Sequence, residues 1–249
     1  LKQVYHLVQF IEPLLQEVLD ARGDVTLADH GAGKSYLGFI LYDLFFKARP
    51  VGWVYGVEAR GELVEKSRAL AQRLGFERMR FLATTVQQAL THEDLPPTFD
   101  VVTALHACDT ATDDAIAFGL AKQARFMVLV PCCQAEVAGV MRQHKALNLS
   151  RTPLAELWRH PLHTREFGSQ ITNVLRCLQL EAQGYEVTVT ELVGWEHSMK
   201  NELIIARRRA QPQAGLQARA RERLQAILDE LGLQPLSARF GVTEDSAGR

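Results

Sequence analysis

Residues 24–48 read DVTLADHGAGKSYLGFILYDLFFKA and decide the fold. They predict a buried strand, a glycine turn (HGAGKS) and, over 36–48, a helix, in immediate succession. Gly31 and Gly33 can adopt backbone angles that side chains forbid, so a ligand can approach the turn closely. A glycine turn between a strand and a helix is typical of nucleotide-type sites in α/β proteins.

The same alternation of strand and helix continues along the chain. Nearly continuous apolar runs predict strands at 24–29, 51–59, 79–83, 99–107 and 124–133. Helical periodicity predicts helices at 3–22, 36–48, 61–74 and 111–122. Strands that are apolar throughout are typical of a parallel sheet buried on both faces. We therefore predict a Rossmann-like, doubly wound α/β fold with a mainly parallel sheet.

The predicted sheet ends differently from the way it begins. Strands at 185–194 and 201–208 are joined by only six residues, too few for a parallel crossover but natural for an antiparallel hairpin. A parallel sheet with such a terminal hairpin is the arrangement expected of class I S-adenosylmethionine (SAM) methyltransferases. Between strands five and six, 136–182 is longer than one crossover helix needs. We expect two helices there and a loop at 150–167 that forms a substrate-facing lid.

Charge is distributed unevenly. Lys plus Arg number 28 against 29 for Asp plus Glu, so the chain as a whole is no basic nucleic-acid binder. Residues 207–249, however, hold eight arginines and five acids, a local charge of +3. We predict an N-terminal helix at 1–23, a methyltransferase domain at 24–209 and a basic C-terminal region at 210–249. That region comprises a helix at 213–231 and a polar tail at 237–249, and any polyanion is expected to contact it.

Cysteine content and hydropathy bear on the compartment. Four cysteines are too few for a disulfide framework in 249 residues, and no run of 18 apolar residues occurs. The N-terminal stretch lacks a signal-peptide cleavage pattern. We expect a cytoplasmic protein with no membrane partner.

Acidic residues at two strand ends complete a predicted donor site. Asp29 ends the first strand, where its carboxylate could accept from the ammonium group of SAM. Glu58 ends the second strand, where a carboxylate accepts hydrogen bonds from ribose hydroxyls in dinucleotide-binding folds. The loop Thr84–Gln87 is expected beside the adenine. The predicted cofactor-binding residues are Asp29, Gly31, Gly33, Glu58, Thr85 and Val86.

Two other nucleotide sites share part of this pattern. Ala28–Ser35 matches a P-loop except at its first position, where glycine is required. The acid at Asp29 would repel phosphates, and the fourth strand offers His106 instead of a magnesium-binding Asp. An NAD site would need a third glycine, and an antiparallel terminal hairpin is atypical of it. Both remain less favoured alternatives.

Polar side chains follow the fourth and fifth strands, in LHACDTATD (105–113) and PCCQ (131–134). These strand ends should be neighbours and should face the methyl donor. Asp109 and His106 are candidate acceptors for the proton that the methyl acceptor loses, and Lys200 in the hairpin turn could lower the pKa of a hydroxyl. Ordinary roles are open for all three: Asp109 as a helix cap, His106 in a loop hydrogen bond and Lys200 in a solvated turn.

The two strand-end sequences together resemble a known group of enzymes. LHACDTATD followed by PCCQ is similar to the H-x-C-x-x-A-T-D…C-C pattern of eukaryotic tRNA 2′-O-methyltransferases acting on the acceptor stem. It is also similar to a methyltransferase-domain group that contains the glutathione-transferase C-terminal-domain-like proteins. The resemblance spans about 24–206 and departs from the tRNA enzymes at Asp109, usually Gly, and at Gln134, usually His. It implies a SAM methyltransferase and, less directly, a tRNA substrate.

The cysteines allow further hypotheses. Pro131-Cys132 matches the nucleophilic pair of cytosine-5 methyltransferases, although there the pair follows the fourth strand and here the fifth. His106, Cys108, Cys132 and Cys133 could instead bind zinc, but they lack a C-x-x-C spacing. Small packed residues are the third and favoured interpretation, so we predict no metal.

Taken together, these patterns predict a SAM-dependent methyltransferase acting on an oxygen or nitrogen atom, with RNA (tRNA or rRNA) as the expected acceptor. The alternatives are a protein or small-molecule acceptor, or a non-catalytic scaffold that binds a partner through its C-terminal helix.

Overall fold

One seven-stranded sheet organises the part of the chain that the computed structural model describes, namely residues 2–105, 109–132, 134–144, 149–192 and 201–242. Its strands are β1 Thr26–His30, β2 Trp53–Glu58, β3 Met79–Ala83, β4 Val101–Leu105, β5 Phe126–Val130, β6 Tyr185–Glu191 and β7 Glu202–Arg208. Their order is β3-β2-β1-β4-β5-β7-β6. Strands β1 to β5 pair in parallel, whereas β7 runs antiparallel to β5. The predicted fold class is therefore confirmed.

The helices follow the predicted alternation. They are α1 Lys2–Arg22, α2 Tyr36–Leu41, α3 Gly61–Leu74, α4 Val86–Leu90, α5 Ala111–Ala121, α6 Glu136–His144, α7 Pro161–Ala182 and α8 Ala214–Glu230. A π-helical turn, Tyr42–Phe46, extends α2, and 3-10 turns occupy Leu149–Arg151, Pro153–Trp158 and Gln234–Phe240. Helix α3 has the predicted bounds and ends at Gly75, whose positive φ of 67° closes it as a glycine C-cap does.

Three local predictions differ from the structure. The short helix α4 was not expected; Thr85 and Gln88 form a capping box that starts it. The segment 150–167, expected to be a loop, instead holds most of the 3-10 turn Leu149–Arg151, all of the 3-10 turn Pro153–Trp158 and the first residues of α7. The prediction of a polar tail at 237–249 is wrong for its first residues. They belong to the 3-10 turn Gln234–Phe240, in which the Phe240 ring is buried in an apolar cluster.

The described residues form two compact units, each with its own core. The first comprises those of Leu1–Ala107, Asp114–Pro131 and Thr188–Arg207, and its core joins apolar side chains of α1, α2, β1 and β2. The second comprises those of Cys108–Asp113, Cys132–Val187 and Arg208–Arg249, with a core built from α6, α7, α8 and the last 3-10 turn. Among the described helices, none has the length and apolar character needed to cross a membrane.

Candidate functional site

Asp29 lies at the end of β1 and is almost completely buried, with 2% exposure. Its Oδ2 accepts a hydrogen bond from Ser35 Oγ at 3.2 Å, and its Oδ1 accepts one from Thr103 Oγ1 at 3.1 Å. Burial raises its pKa to about 6, although hydrogen bonds from Thr103, Ser35 and the Gly38 amide act in the opposite direction. In this arrangement Asp29 fixes the junction of strand, turn and helix. Its contact with the ammonium group of SAM stays a prediction.

The turn after β1 carries three left-handed residues: Gly31 (φ 65°), Gly33 (φ 57°) and Ser35 (φ 52°). The amide of Gly31 donates to the Val57 carbonyl at 2.9 Å, which ties the turn to β2. Glycine adopts these angles freely, whereas a left-handed serine costs on the order of 1–2 kcal/mol. The hydrogen bond from Ser35 to Asp29 holds this conformation, so the two residues act together.

Gly38 is a site residue that the sequence analysis missed. A Cβ at this position would lie 2.6 Å from Ser35 Oγ and 3.5 Å from Asp29 Oδ2. The first turn of α2 can therefore approach the Asp29 carboxylate only because position 38 has no side chain. A glycine within a helix costs about 1 kcal/mol of stability relative to alanine. Its presence in the predicted helix at 36–48 was therefore the sequence signal that position 38 requires a residue without a side chain.

Glu58 lies at the carboxyl end of β2, with 8% exposure. Its Oε2 accepts from the Gly33 amide at 2.8 Å, and its Oε1 accepts from the Arg60 amide at 3.0 Å. The Arg60 guanidinium binds both oxygens, through Nε to Oε1 at 2.8 Å and Nη2 to Oε2 at 3.2 Å. Burial raises the pKa of Glu58, but the hydrogen bonds from Arg60 and Gly33 outweigh it and hold the pKa below its ordinary value. Glu58 is therefore ionised at neutral pH and joins the glycine turn to the end of β2.

Thr85 and Val86 lie just after β3, where Thr84 joins this strand to α4. Thr84 donates its amide to the Glu58 carbonyl at 3.1 Å, so the start of this connection is fixed beside Glu58. Thr85 is exposed and caps α4: its amide donates to Gln88 Oε1 at 3.2 Å. The backbone amides of Thr84 and Thr85 are thus both hydrogen-bonded. The placement of adenine beside Thr85 and Val86 stays a prediction.

His30 is a second buried titratable group, for which the sequence suggested no role. It has 6% exposure, and its ring lies 5.4 Å from the ring of Phe118. Neither ring nitrogen has a hydrogen-bond partner within the described part of the chain. Burial lowers its pKa to about 4, although Glu58 acts in the opposite direction, so the imidazole is neutral at physiological pH.

In the second unit, Asp109 follows the segment after β4 and has a positive φ of 49°. Its Oδ1 accepts from the amides of Ala135 and Glu136 at 3.1 and 3.4 Å, at the start of α6. The carboxylate thus has the ordinary role of a helix cap that was considered above. The helix that it caps is α6, not α5, which begins at Ala111. Its part in proton transfer stays a prediction. The other two catalytic candidates, His106 and Lys200, lie outside the described residues.

Arg176 on α7 is completely buried in the second unit. Its Nε and Nη2 donate to the two carboxylate oxygens of Asp113, both at 2.7 Å, and its Nη2 also donates to the Asp109 carbonyl at 2.9 Å. Its Nη1 donates to Asn173 Oδ1, which also accepts from Gln134 Nε2, each at 3.1 Å. This network fixes the segments after β4 and β5 to one helix. No local sequence pattern predicts this network, because Arg176 lies 63 residues from Asp113.

The zinc hypothesis involves side chains at Cys108 and Cys133 that lie outside the described residues. Within the described ranges, no three His, Cys, Asp or Glu side chains are grouped so that they could hold a metal ion.

Comparison with known proteins gives one family. A family model described as "Methyltransferase domain" matches residues 1–140. No curated protein matches the chain.

Solved structures with a similar architecture include precorrin-6y C5,15-methyltransferase from Geobacter metallireducens (16% identity, 74% of this chain and 80% of that chain, TM-score 0.43). Magnesium protoporphyrin IX methyltransferase from Synechocystis, with bound S-adenosylhomocysteine, shares 14% identity over 82% of this chain and 84% of that chain, with a TM-score of 0.45. The fibrillarin/Nop5p complex shares 13% identity over 76% and 74%, with a TM-score of 0.47. We draw no conclusion about the acceptor from these likenesses.

Proposed function

The chain belongs to the methyltransferase-domain family and is a SAM-dependent methyltransferase, and on that premise we propose that it methylates an oxygen or nitrogen atom of RNA. The observation that carries this proposal is a cleft in the second unit, here called the arginine cleft. It is formed mainly by α8 and is lined by Arg209, Arg219 and Arg223 beside Glu181 and Glu222. Among RNA acceptors, tRNA is the one that the sequence resemblance implies, and rRNA is the other expected acceptor.

The residues around the glycine turn fit the cofactor. The positive φ of Gly33 brings its amide to within 2.8 Å of the Glu58 carboxylate, and a Cβ there would have the Arg60 guanidinium 3.8 Å away as its nearest neighbour. An ionised carboxylate at the end of β2 is suited to the two ribose hydroxyls. We assign Glu58 to the ribose, the turn with Asp29 to the methionine moiety, and Thr85 and Val86 to the adenine. When bound, SAM supplies an electrophilic methyl group on a positively charged sulfur.

The arginine cleft has a volume of about 560 Å³ and lies beside α8. Arg219 and Arg223 are one helical turn apart and line it together with Arg209. Arg223 pairs with Glu181 at 2.9 Å and Arg209 approaches Glu186 at 3.6 Å, so part of the positive charge is already compensated.

Two exposed arginines of α8 contact neutral backbone groups instead. Arg219 Nε donates to the Gly215 carbonyl at 3.3 Å, and Arg221 Nη2 donates to the Ala182 carbonyl at 3.5 Å. A carbonyl leaves the positive charge of a guanidinium uncompensated, so both side chains can bind phosphate oxygens. Arginine suits this role because its planar fork of donors matches phosphate geometry.

On the acceptor side, the chain has to position a hydroxyl or amine and accept its proton. We assign this task to Asp109, with His106 and Lys200 as the other candidates. Positioning supplies most of the rate in such a transfer, and a base in reach adds to it. The buried network around Arg176 holds the backbone at Asp109, so the candidate base is on a fixed support.

Labelled SAM tests the proposal. The protein is incubated with SAM carrying a tritiated methyl group and with total cellular RNA, and incorporation is measured with and without nuclease. We expect nuclease-sensitive label in RNA. Label that survives nuclease and remains with protein or small molecules would contradict the RNA proposal while leaving the methyltransferase assignment intact.

A charge variant tests the binding surface separately. Replacing Arg219, Arg221 and Arg223 together by Gln should weaken RNA binding and reduce the slope of log affinity against log salt by about two to three, because each phosphate contact contributes about 0.7–0.9. SAM affinity should not change. The matched control carries the same loss of charge on other exposed helical positions, Lys66, Arg73 and Arg142. Equal effects of the two variants would show that only net charge matters.

A further inference from the structure

Arg60 occupies an unusual position at the start of α3. It is the N-cap residue, and its side chain makes no capping hydrogen bond. N-caps are normally Ser, Thr, Asp or Asn, and the positive end of the helix dipole disfavours a cation there. A residue that breaks a local rule in this way generally serves a purpose elsewhere. The Arg60 side chain instead forms hydrogen bonds with the Glu58 carboxylate.

The hydrogen bonds to Glu58 use its full accepting capacity. An ionised carboxylate offers about four acceptor positions, two on each oxygen. The amides of Gly33 and Arg60 take one position on each oxygen, and both are fixed parts of the backbone. The guanidinium of Arg60 takes the remaining position on each oxygen, through Nε and Nη2.

This pair of guanidinium donors has the same pattern as a ribose diol, in which two neighbouring hydroxyls donate to the two oxygens of one carboxylate. We propose that Arg60 is a specificity-determining residue of the donor site: its guanidinium occupies the two positions on Glu58 that the ribose hydroxyls require, and the cofactor must displace it. The proposal rests on the assignment of Glu58 to the ribose made above.

The two partners differ in burial in the way that such an exchange requires. The side chain of Glu58 is 9% exposed, whereas that of Arg60 is 64% exposed. Arg60 can therefore move into water at small free-energy cost. Glu58 stays in place, and without Arg60 or a ligand its carboxylate would be poorly solvated. A ligand can bind the Glu58 carboxylate only by replacing Arg60 Nε and Nη2 as its donors. A ligand without a vicinal diol cannot restore both of these hydrogen bonds. The exchange therefore selects for an intact ribose.

The test compares the affinities of SAM and S-adenosylhomocysteine for parent and variant by calorimetry. Arg60→Met keeps the length of the side chain and removes the donors. We expect both ligands to bind about two- to fivefold more tightly, the range for an exposed ion pair. The gain should shrink between 50 and 500 mM salt, because salt screens the competing pair in the parent. Arg60→Lys, which has no planar fork, should give a smaller gain and serves if Arg60→Met does not fold.

Two controls separate the possible failures. Arg73→Met removes an exposed arginine from the last turn of the same helix and should leave both affinities unchanged. In a Glu58→Ala background, Arg60→Met should have no effect. Unchanged or weaker binding of SAM to Arg60→Met overturns the competition proposal. Tight binding of SAM to Glu58→Ala overturns the ribose assignment itself, whatever Arg60 does.

Discussion

Asp29 and His30 are adjacent, both buried, and their pKa values are shifted in opposite directions. Burial raises the pKa of Asp29 from 3.8 to about 6 and lowers that of His30 from 6.5 to about 4. At about 1.4 kcal/mol for each pKa unit, either shift corresponds to about 3 kcal/mol of pH-dependent stability. We predict that the two effects cancel in the parent protein and become visible when either residue is replaced.

The signs follow from which state binds the proton more tightly. Folded Asp29 keeps its proton up to about pH 6, whereas the unfolded chain loses it near pH 4, so its contribution to stability falls as the pH rises between these values. Folded His30 is protonated only below about pH 4, whereas the unfolded chain is protonated up to about pH 6.5, so its contribution rises with pH over that range. Between pH 4 and 6 the two slopes are opposite and nearly equal.

Urea unfolding at half-unit steps from pH 4 to pH 7 measures the prediction. His30→Phe removes the rising contribution, so its stability relative to the parent should fall by about 3 kcal/mol across the range. Asp29→Asn keeps hydrogen-bonding capacity without a charge, and its stability relative to the parent should rise by about 3 kcal/mol. Because all other carboxylates are common to the three proteins, difference curves isolate these two residues.

The double variant Asp29→Asn/His30→Phe is the internal control, since its curve should run parallel to that of the parent. Difference curves that are flat for both single variants would refute the reasoning, because burial would then shift neither pKa. Curves of the same sign for both would refute the assignment of opposite shifts.

Three further predictions concern single positions. Asp109→Ala should lower the single-turnover methylation rate at least ~10²-fold, the lower limit for a proton-transfer group, with SAM affinity unchanged by calorimetry; an active variant would leave Asp109 as a helix cap alone. Arg176→Met should destabilise the protein by about 3–5 kcal/mol in urea unfolding because it leaves Asp113 buried without its partner, and Arg176→Met/Asp113→Leu should recover most of this loss. Gly38→Ala should cost about 1–3 kcal/mol in the same assay because its Cβ would overlap Ser35 Oγ, whereas Gly139→Ala, with open space around its Cβ, should be neutral or stabilising.

The sequence predicts most of the fold because its decisive signals are local. The bounds of α3 follow from helical periodicity and from Gly75, and those of β3 from five residues between turn signals. The terminal hairpin follows from the short connection between its strands. The errors have two causes. The helix α4 was not predicted because Thr85 and Gln88 were not recognised as a capping box. The burial of Phe240 could not be predicted because it depends on contacts with helices that are distant in sequence.

The candidate site could be predicted only in part for the same reason. Asp29, Gly33 and Glu58 are recognisable because a strand end or a glycine turn marks each of them. Their supports are less visible: Thr103 reaches Asp29 from another strand, 74 residues away. Arg60 is only two residues from Glu58, and its misfit as an N-cap was a usable signal that the sequence analysis did not take up.

The network around Arg176 changes what the resemblance to the tRNA enzymes can mean. Asp113 is part of the motif that carries the resemblance, whereas Gln134 is a position at which the chain departs from the tRNA enzymes. Both belong to the hydrogen-bonded network that fixes the segments after β4 and β5 to α7. Such positions preserve the geometry of the scaffold whatever the acceptor is. Information about the acceptor is then expected on surfaces outside the network, such as the one that carries Arg219, Arg221 and Arg223 on α8. The charge variant of α8 therefore tests the RNA proposal more directly than any substitution within the shared motif.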